Sequence, residues 1–261
     1  NNGTEAQSNT VTVTKTGSIT TGNAYGIFND GAYNTTTVAG SITTTGSAAR
    51  GIYNLDNNNT TTVSGSITTK GSSAHGIYNT GNTNKTTVSG SIKTGGFGAH
   101  GIYNTGNNNT TTVSGSIKTG RYGARGIYNS GNNNTTTVSG SITTTGEEAH
   151  GIHNYGDNNT TTVSGSITTG SGHGIHNYGD NNTTSISSTV KATGTKSAAL
   201  YNKSGSGNSF TLDEGATIIG DILARDTVIA YDATNSKLIF NLGASTSYAY
   251  SVSGKGEGTG A

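Results

Sequence analysis

Large aliphatic residues recur along this chain at a nearly constant spacing. The first seven each follow a Gly-Ser step, and the intervals between successive members are 23, 25, 25, 25, 25, 25 and 23 residues. The members of this column are Ile19, Ile42, Ile67, Ile92, Ile117, Ile142, Ile167 and Val190. Such self-similarity predicts a repeat fold in which each period forms one structural unit.

Two further aliphatic columns share this period. One is the Ile of a Gly-Ile-aromatic-Asn motif, and the other is the Val that ends a Thr-Thr-Val run 11 residues later. In the third repeat the pattern predicts short strands at Thr60–Val63, Ser66–Thr69 and His75–Asn79. Gly, Asn and Ser separate these segments and are turn residues. No segment has the three- and four-residue apolar steps of a helix.

Three short strands in a period of about 25 residues predict one coil of a β-solenoid. The fold class is therefore all-β, a parallel β-helix, and we expect right-handed coils because parallel crossovers are nearly always right-handed. We divide the chain into an N-terminal extended or capping segment (1–16), regular repeats (17–207) and irregular C-terminal coils (208–261).

Composition narrows the functional classes. Only 28% of the 261 residues are hydrophobic, 42 are Gly, and the net charge is +1. This near-neutral charge gives no reason to expect a nucleic acid as partner. The chain has no Cys, which excludes disulfides, and no run approaches 18 apolar residues, so we expect no membrane insertion.

An Asn follows the aromatic residue of every repeat. We interpret this column as a structural ladder in which each side-chain amide bonds to the next coil. Its members are Asn29, Asn54, Asn79, Asn104, Asn129, Asn154, Asn177 and Asn202. The following "GNNN" or "GDNN" loops contain residues that tolerate a left-handed backbone.

The aromatic column lies one residue after a buried Ile, so strand alternation directs it outward. Its members are Phe28, Tyr53, Tyr78, Tyr103, Tyr128, His153, His176 and Tyr201. We consider three interpretations of this candidate contact ladder: a strip that binds glycans or proteins, a lateral contact between rods, or a stack that stiffens one face.

Histidines raise the question of a metal site. His150 and His153 form an H-x-x-H motif, which His173 and His176 repeat one coil later, and imidazoles bind zinc or nickel. No carboxylate or Cys occupies the same columns. In other coils the first His position holds Tyr25, Arg50, His75, His100 or Arg125. This variation is typical of an exposed position, so we expect no metal and no cofactor.

Catalytic and ice-binding constellations are weakly represented. Glu147 and Glu148 are adjacent in a variable loop, and the remaining clustered acids are Asp213, Glu214, Asp221 and Asp226. A pair of these C-terminal carboxylates is the one basis for a polysaccharide-degrading enzyme. The outward Thr-x-Thr pairs resemble an ice-binding array, although Lys85 interrupts them. We expect a protein that is not an enzyme.

The segment "AHGIYNTGNNNTTTVSGSIKTG" at 99–120 resembles the passenger domains of bacterial autotransporters. Their degenerate repeats run Gly-Ile-Tyr, then Gly-Asp/Asn-Asn-Asn-Thr, then Val-x-x-Ser-Gly-x-Ile, and the resemblance covers about residues 17–205. It implies an extracellular β-helix at the bacterial cell surface. Many such proteins without a catalytic domain mediate adhesion, self-association or biofilm formation.

The leading functional expectation is therefore a non-enzymatic structural and adhesive solenoid that associates with copies of itself. The segment "NTVTVTKTG" (Asn9–Gly17) has alternating β character and is suited to pair with the C-terminal coil of a neighbouring copy. Head-to-tail contacts of this kind produce a filament. The alternative is a glycan- or ice-binding adhesin with a cell-surface partner.

Overall fold

A computed structural model describes residues 8–224 and 237–240, and these residues form 28 strands and no helix. Coils 1 to 3 contain β1 (Thr10–Val13), β2 (Ser18–Thr21), β3 (Ile27–Asn29), β4 (Thr35–Val38), β5 (Ser41–Thr44), β6 (Ile52–Asn54), β7 (Thr60–Val63), β8 (Ser66–Thr69) and β9 (Ile77–Asn79). Coils 4 to 6 contain β10 (Lys85–Val88), β11 (Ser91–Thr94), β12 (Ile102–Asn104), β13 (Thr110–Val113), β14 (Ser116–Thr119), β15 (Ile127–Asn129), β16 (Thr135–Val138), β17 (Ser141–Thr144) and β18 (Ile152–Asn154). Coils 7 to 9 contain β19 (Thr160–Val163), β20 (Ser166–Thr169), β21 (Ile175–Asn177), β22 (Thr183–Ile186), β23 (Thr189–Ala192), β24 (Ala198–Asn202), β25 (Ser209–Leu212), β26 (Thr217–Ile219) and β27 (Asp221–Ala224), after which β28 (Lys237–Phe240) follows.

Each coil contributes one strand to each of three parallel sheets. Sheet A has ten strands and runs from β1 to β28, sheet B has nine and runs from β2 to β26, and sheet C has nine and runs from β3 to β27. Equivalent residues pair from coil to coil, as when Val63 lies opposite Val88 in sheet A. The predicted parallel β-solenoid with three strands per coil is therefore confirmed.

One of the three strands in the coil is shorter than expected. Strand β9 begins at Ile77, whereas the sequence pattern predicted a start at His75. Gly76 causes the difference because the backbone passes very close to its neighbours there. An added Cβ would lie 2.4 Å from Ile92 Cγ2 and 2.6 Å from the carbonyl oxygen of Gly101. Thus His75 directly precedes the bend at Gly76 and does not lie in the strand.

The core is more polar than its three aliphatic columns suggest. In sheet A the middle Thr of the Thr-Thr-Thr-Val run points inward, and Thr61 is as fully buried as Val63. In sheet B the buried pair is Ile67 and Thr69. Thr69 donates its hydroxyl proton to the carbonyl oxygen of Ala74 at the next corner. The hydroxyls of Thr61 and Thr69 both have hydrogen-bond partners, so burying them in a thin core carries no large desolvation penalty.

The turns after sheet C use left-handed backbone, as predicted. Positive φ angles occur at one residue of each Asn-rich loop, and the φ of Asn108 is 57°. The equivalent residues are Tyr33, Asn58, Thr83, Asn133, Asn158 and Asn181. Asn adopts this conformation more readily than most residues, which explains its enrichment here.

The stack extends beyond the region of regular repeats at both ends. Strand β1 belongs to coil 1, since Thr10–Val13 pairs in register with Thr35–Val38. At the other end, β25, β26 and β27 continue sheets A, B and C, with one register irregularity between Ala198 and Leu200. Apart from β28, the part of the C-terminal segment after Ala224 lies outside the described residues.

Candidate functional site

The aromatic column forms a continuous stack along the outer face of sheet C. The ring centroids of Tyr103 and Tyr128 are 4.8 Å apart, and the rings are nearly parallel, with an interplanar angle of 9°. The stack runs through Phe28, Tyr53, Tyr78, Tyr103, Tyr128, His153, His176 and Tyr201. This arrangement results from the register of sheet C, which places each ring directly over its equivalent.

A second column packs against this stack and partly covers it. Its members immediately precede the Gly-Ile step, and they are Tyr25, Arg50, His75, His100, Arg125, His150 and His173. The prediction that this position is exposed was wrong: His75 and His100 are each 6% exposed and His150 is 2% exposed. The bend at the following Gly turns these side chains back onto the rings. His100, for example, packs edge to face against the Tyr128 ring, and the two ring centroids are 5.2 Å apart.

The covering column also changes the exposure of the predicted contact ladder. Phe28, at the end of the stack, is 46% exposed, whereas the Tyr rings along the ladder are half-buried. His153 and His176 are buried, at 4% and 5% exposure. The expectation of an exposed ladder is therefore wrong for these two histidines, because His150 packs against both rings.

Two arginines in the covering column lie over aromatic rings. The guanidinium of Arg50 lies 4.5 Å from the centre of the Tyr78 ring, and that of Arg125 lies 4.5 Å from the centre of the Tyr128 ring. Arg50 also donates to the Tyr25 hydroxyl at 3.0 Å. Cation–π attraction of this kind strengthens as the groups are desolvated, so these arginines reinforce the strip.

The histidines of the covering column also connect successive coils. Each accepts a backbone N–H of the following coil at Nδ1. The donors are the amides of His100, Arg125, His173 and Ala198, and the acceptors are His75, His100, His150 and His173. A ring nitrogen that accepts a hydrogen bond carries no proton, so this arrangement requires neutral imidazoles with the proton on Nε2.

Burial and nearby cations oppose protonation of the same rings. Burial is the main cause that lowers the pKa of His75 to about 3, and the charge of Arg50 lowers it further. Burial likewise holds the pKa of His100 well below its usual range, with His75, Arg125 and His150 adding to the effect. At neutral pH these histidines are therefore uncharged members of an aromatic stack.

We expect the solenoid to lose stability in mild acid through His75 and His100. Their pKa values are about 6.5 in the unfolded chain and lower in the fold, so the unfolded state binds more protons below about pH 6.5. The free energy of unfolding should then fall with decreasing pH, by about 1.4 kcal/mol per pH unit for each histidine. Urea denaturation at pH 7.5, 6.0, 5.0 and 4.5 measures this dependence.

The double variant His75→Gln, His100→Gln identifies the source of the acid sensitivity. The charged and titratable groups that interact with this pair are Arg50, Tyr78, Tyr103, Arg125, Tyr128 and His150. Glutamine takes up no proton in this range, so the variant loses the contribution of both histidines while His150 keeps its own. The variant should therefore show a shallower pH dependence, whereas Lys85→Gln, at an exposed position, should retain the original slope. An unchanged slope in the double variant would contradict the assignment.

The Asn column after the aromatic residue points inward and forms a continuous chain of amides. Asn79 Nδ2 donates to Asn104 Oδ1 at 2.7 Å, and Asn104 Nδ2 donates to Asn129 Oδ1 at 2.9 Å. Each Nδ2 from Asn29 to Asn154 also donates to a buried Thr hydroxyl in sheet A, as Asn104 does to Thr111. The column Asn29, Asn54, Asn79, Asn104, Asn129, Asn154, Asn177 and Asn202 thus links sheets A and C through the core.

A second buried Asn column escaped the sequence analysis. Asn109 Oδ1 accepts the backbone N–H of Asn84, while Asn109 Nδ2 donates to the carbonyl oxygen of Gly106. The column consists of Asn34, Asn59, Asn84, Asn109, Asn134, Asn159, Asn182 and Asn208. Its sequence signal was the Asn that directly precedes the sheet A strand in each of these repeats.

The acidic residues do not assemble into a catalytic pair among the described residues. Glu147 and Glu148 are exposed in a loop, and Asp213 accepts a hydrogen bond from Ser185. Glu214 and Asp221 are exposed, while Asp226 lies outside the described residues. The acidic residues of the Asn-rich loops hydrogen-bond to the turn backbone of the next coil. Asp157 Oδ1, for example, accepts the backbone N–H of Asp180 at 2.8 Å.

Comparison with known proteins identifies no relative. Neither a family model, nor a curated protein, nor a solved structure matches this chain.

Proposed function

We propose that this protein is a non-enzymatic, extracellular solenoid that acts as a structural and adhesive element of a bacterial surface and associates head to tail with copies of itself. The resemblance of its repeats to autotransporter passenger domains supports the location and the adhesive role. The architecture supports the self-association, because a stack of identical coils ends in strand edges that match the edges of another copy.

The observation that carries the proposal is the partial exposure of the sheet B core column at both ends of the stack. Among the residues that the structure describes, Ile19 and Ile218 are the first and last members of this column, and both are partly exposed. The members between them, such as Ile67 and Ile92, are 0–1% exposed. A second copy that continues the column would bury these terminal side chains against equivalent ones, which is the contact that each coil already makes within the chain.

The hydrogen-bonding pattern of β1 suits the same contact. The carbonyl oxygens of Asn9 and Val13 accept amides of coil 2, from Thr35 and Ala39. Because backbone groups alternate along a strand, the N–H and C=O of Thr12 point to the opposite, outer edge of sheet A. This edge, within Asn9–Gly17, would pair with the C-terminal coil of the next copy.

Glycan binding has less support from the aromatic column. Sugars stack on exposed ring faces, whereas the faces of successive rings here cover each other at about 5 Å. The exposed parts of these rings are mostly edges, which suits a stack that stiffens sheet C. We therefore propose no separate glycan-binding function.

We expect the purified chain to form filaments whose growth depends on concentration, and Thr12→Pro to abolish them. Proline removes the outward N–H of Thr12, while the ladder to coil 2 uses the neighbouring residues and is retained. Negative-stain electron microscopy and light scattering across a dilution series measure filament formation, and circular dichroism establishes that the variant is folded.

Thr12→Val is the matched control, since it keeps the backbone N–H and a β-branched side chain. It should form filaments like the unmodified chain. A chain that stays monomeric at all concentrations, or filaments that persist in Thr12→Pro, would overturn the head-to-tail proposal.

A further inference from the structure

Three histidines converge at one point of the aromatic strip, on coils 6 and 7. His153 lies on β18, His176 on β21, and His150 directly precedes the bend at Gly151 that leads into β18. One ring nitrogen from each lies within 4.8 Å of the other two. The His153 and His176 rings are stacked with their centroids 4.4 Å apart. The His150 ring packs edge to face against the His176 ring, with 4.6 Å between the two centroids.

Two of these rings have unsatisfied polar atoms. Neither ring nitrogen of His153, and neither of His176, has a hydrogen-bond partner among the described residues. Both side chains are at least 95% buried. A neutral imidazole always has one donor and one acceptor nitrogen, so burying two such rings without partners is costly. The Tyr rings that occupy this column in other coils carry no ring nitrogen, and so the cost is specific to this position.

We propose that His150, His153 and His176 form a binding site for one divalent first-row transition-metal ion of the zinc, nickel or copper type. Neutral imidazole nitrogen is a preferred ligand of these ions, and three histidines form the protein ligand set of several zinc sites. Of the four histidines in the two successive H-x-x-H motifs, three converge here, and His173 is not among them.

Binding changes the local hydrogen bonds in a defined way. His150 Nδ1 accepts the backbone N–H of His173 at 2.9 Å, so its Nε2 carries the proton without metal. To bind through Nε2, His150 must give up that proton, and a neutral ring then carries it on Nδ1 and loses the bond from His173. The three nitrogens must also approach to about 3.3 Å of each other to bind zinc at ~2.0–2.1 Å with tetrahedral angles.

Substitutions that should preserve the fold can be taken from the equivalent positions of other coils. The column that holds His153 and His176 has Tyr in four consecutive coils, at Tyr53, Tyr78, Tyr103 and Tyr128. His75 packs edge to face against Tyr103, as His150 packs against His176. His153→Tyr, His176→Tyr therefore removes two ligands while retaining a side chain that this environment accepts elsewhere.

In the experiment, the untagged chain is titrated with zinc chloride at pH 7.5, and isothermal titration calorimetry records the heat of each addition. We expect one zinc ion per chain, and at least a 100-fold weaker affinity in the double Tyr variant. Replacing zinc with cobalt gives an independent readout, because nitrogen ligation at a tetrahedral site produces visible absorption bands that the variant should lack. The unfolding midpoint of the unmodified chain should rise with added zinc.

Controls separate this site from other histidines. His75→Arg, which places the residue found at Arg50 and Arg125 in an equivalent position, should bind zinc normally. His150→Arg tests the third ligand if the double variant does not fold. The proposal is overturned if the unmodified chain binds no zinc, if the double Tyr variant binds it equally well, or if His75→Arg loses binding to the same extent.

Discussion

Gly90→Ala should destabilise the solenoid by about 3 kcal/mol or more, at the upper end of what overpacking usually costs. Gly90 lies at the corner between sheets A and B, where the carbonyl oxygen of Gly65 in the preceding coil approaches closely. A Cβ added at Gly90 would lie 1.9 Å from that oxygen and 2.5 Å from the carbonyl oxygen of Ser64. Both contacts are with backbone, so no side chain can rotate away, and the coils must separate locally.

Gly95→Ala provides the comparison within the same coil. The nearest atoms to an added Cβ there are the Thr69 carbonyl oxygen at 3.6 Å and Lys70 Cα at 3.9 Å, which are ordinary contacts. Its stability should be unchanged or slightly higher, because Ala restricts the unfolded chain more than Gly does. Urea denaturation of both variants at pH 7.5 measures the difference. Equal stabilities would contradict the close approach of coils at the Gly90 corner.

Asn104→Ala should lower the free energy of unfolding by about 3 to 6 kcal/mol, since it leaves several buried polar groups without partners at about 1–3 kcal/mol each. Asn104 is fully buried and accepts from Asn79 Nδ2 at 2.7 Å. It donates to Asn129 Oδ1 at 2.9 Å and to the Thr111 hydroxyl at 3.2 Å. Removing its amide interrupts the chain of amides in the middle of the stack, where water has no access.

Asn107→Ala is the matched control because Asn107 makes the same kind of contact at the surface. Its Oδ1 accepts the backbone N–H of Asn132 at 2.7 Å, but its side chain is exposed. Water can replace that bond, so the loss should be within about 1 kcal/mol. Chemical denaturation of the two variants compares them directly. A similar loss for both would mean that burial does not decide the contribution of the Asn columns.

Much of the candidate site could be read in the sequence, whereas its exposure could not. The period places Tyr103 over Tyr78 and Asn104 over Asn79, since equivalent residues of a parallel solenoid lie in register. Strand alternation also assigns the two residues to opposite faces. Alternation does not reveal what covers the outward face. The prediction that His75, His100 and His150 are exposed was wrong for this reason. A glycine bend outside the strand turns their column back onto the aromatic rings.

Local patterns in the sequence predict the coil length, the three strands of each coil, the aliphatic columns and the left-handed Asn loops. These features depend on local patterns that repeat, so each copy reinforces the same interpretation. The partners of the inward polar side chains, and the side chains that meet across the bends, depend on the packing of the whole stack. Alternation from Val63 directs Thr61 inward and Thr62 outward, but it does not show that Thr61 accepts a hydrogen bond from Asn54 of sheet C. His150 and His176 are 26 positions apart and become neighbours only because coil 7 lies on coil 6. Contacts between coils depend on how the backbone is placed at each corner, and this placement is a property of the whole stack.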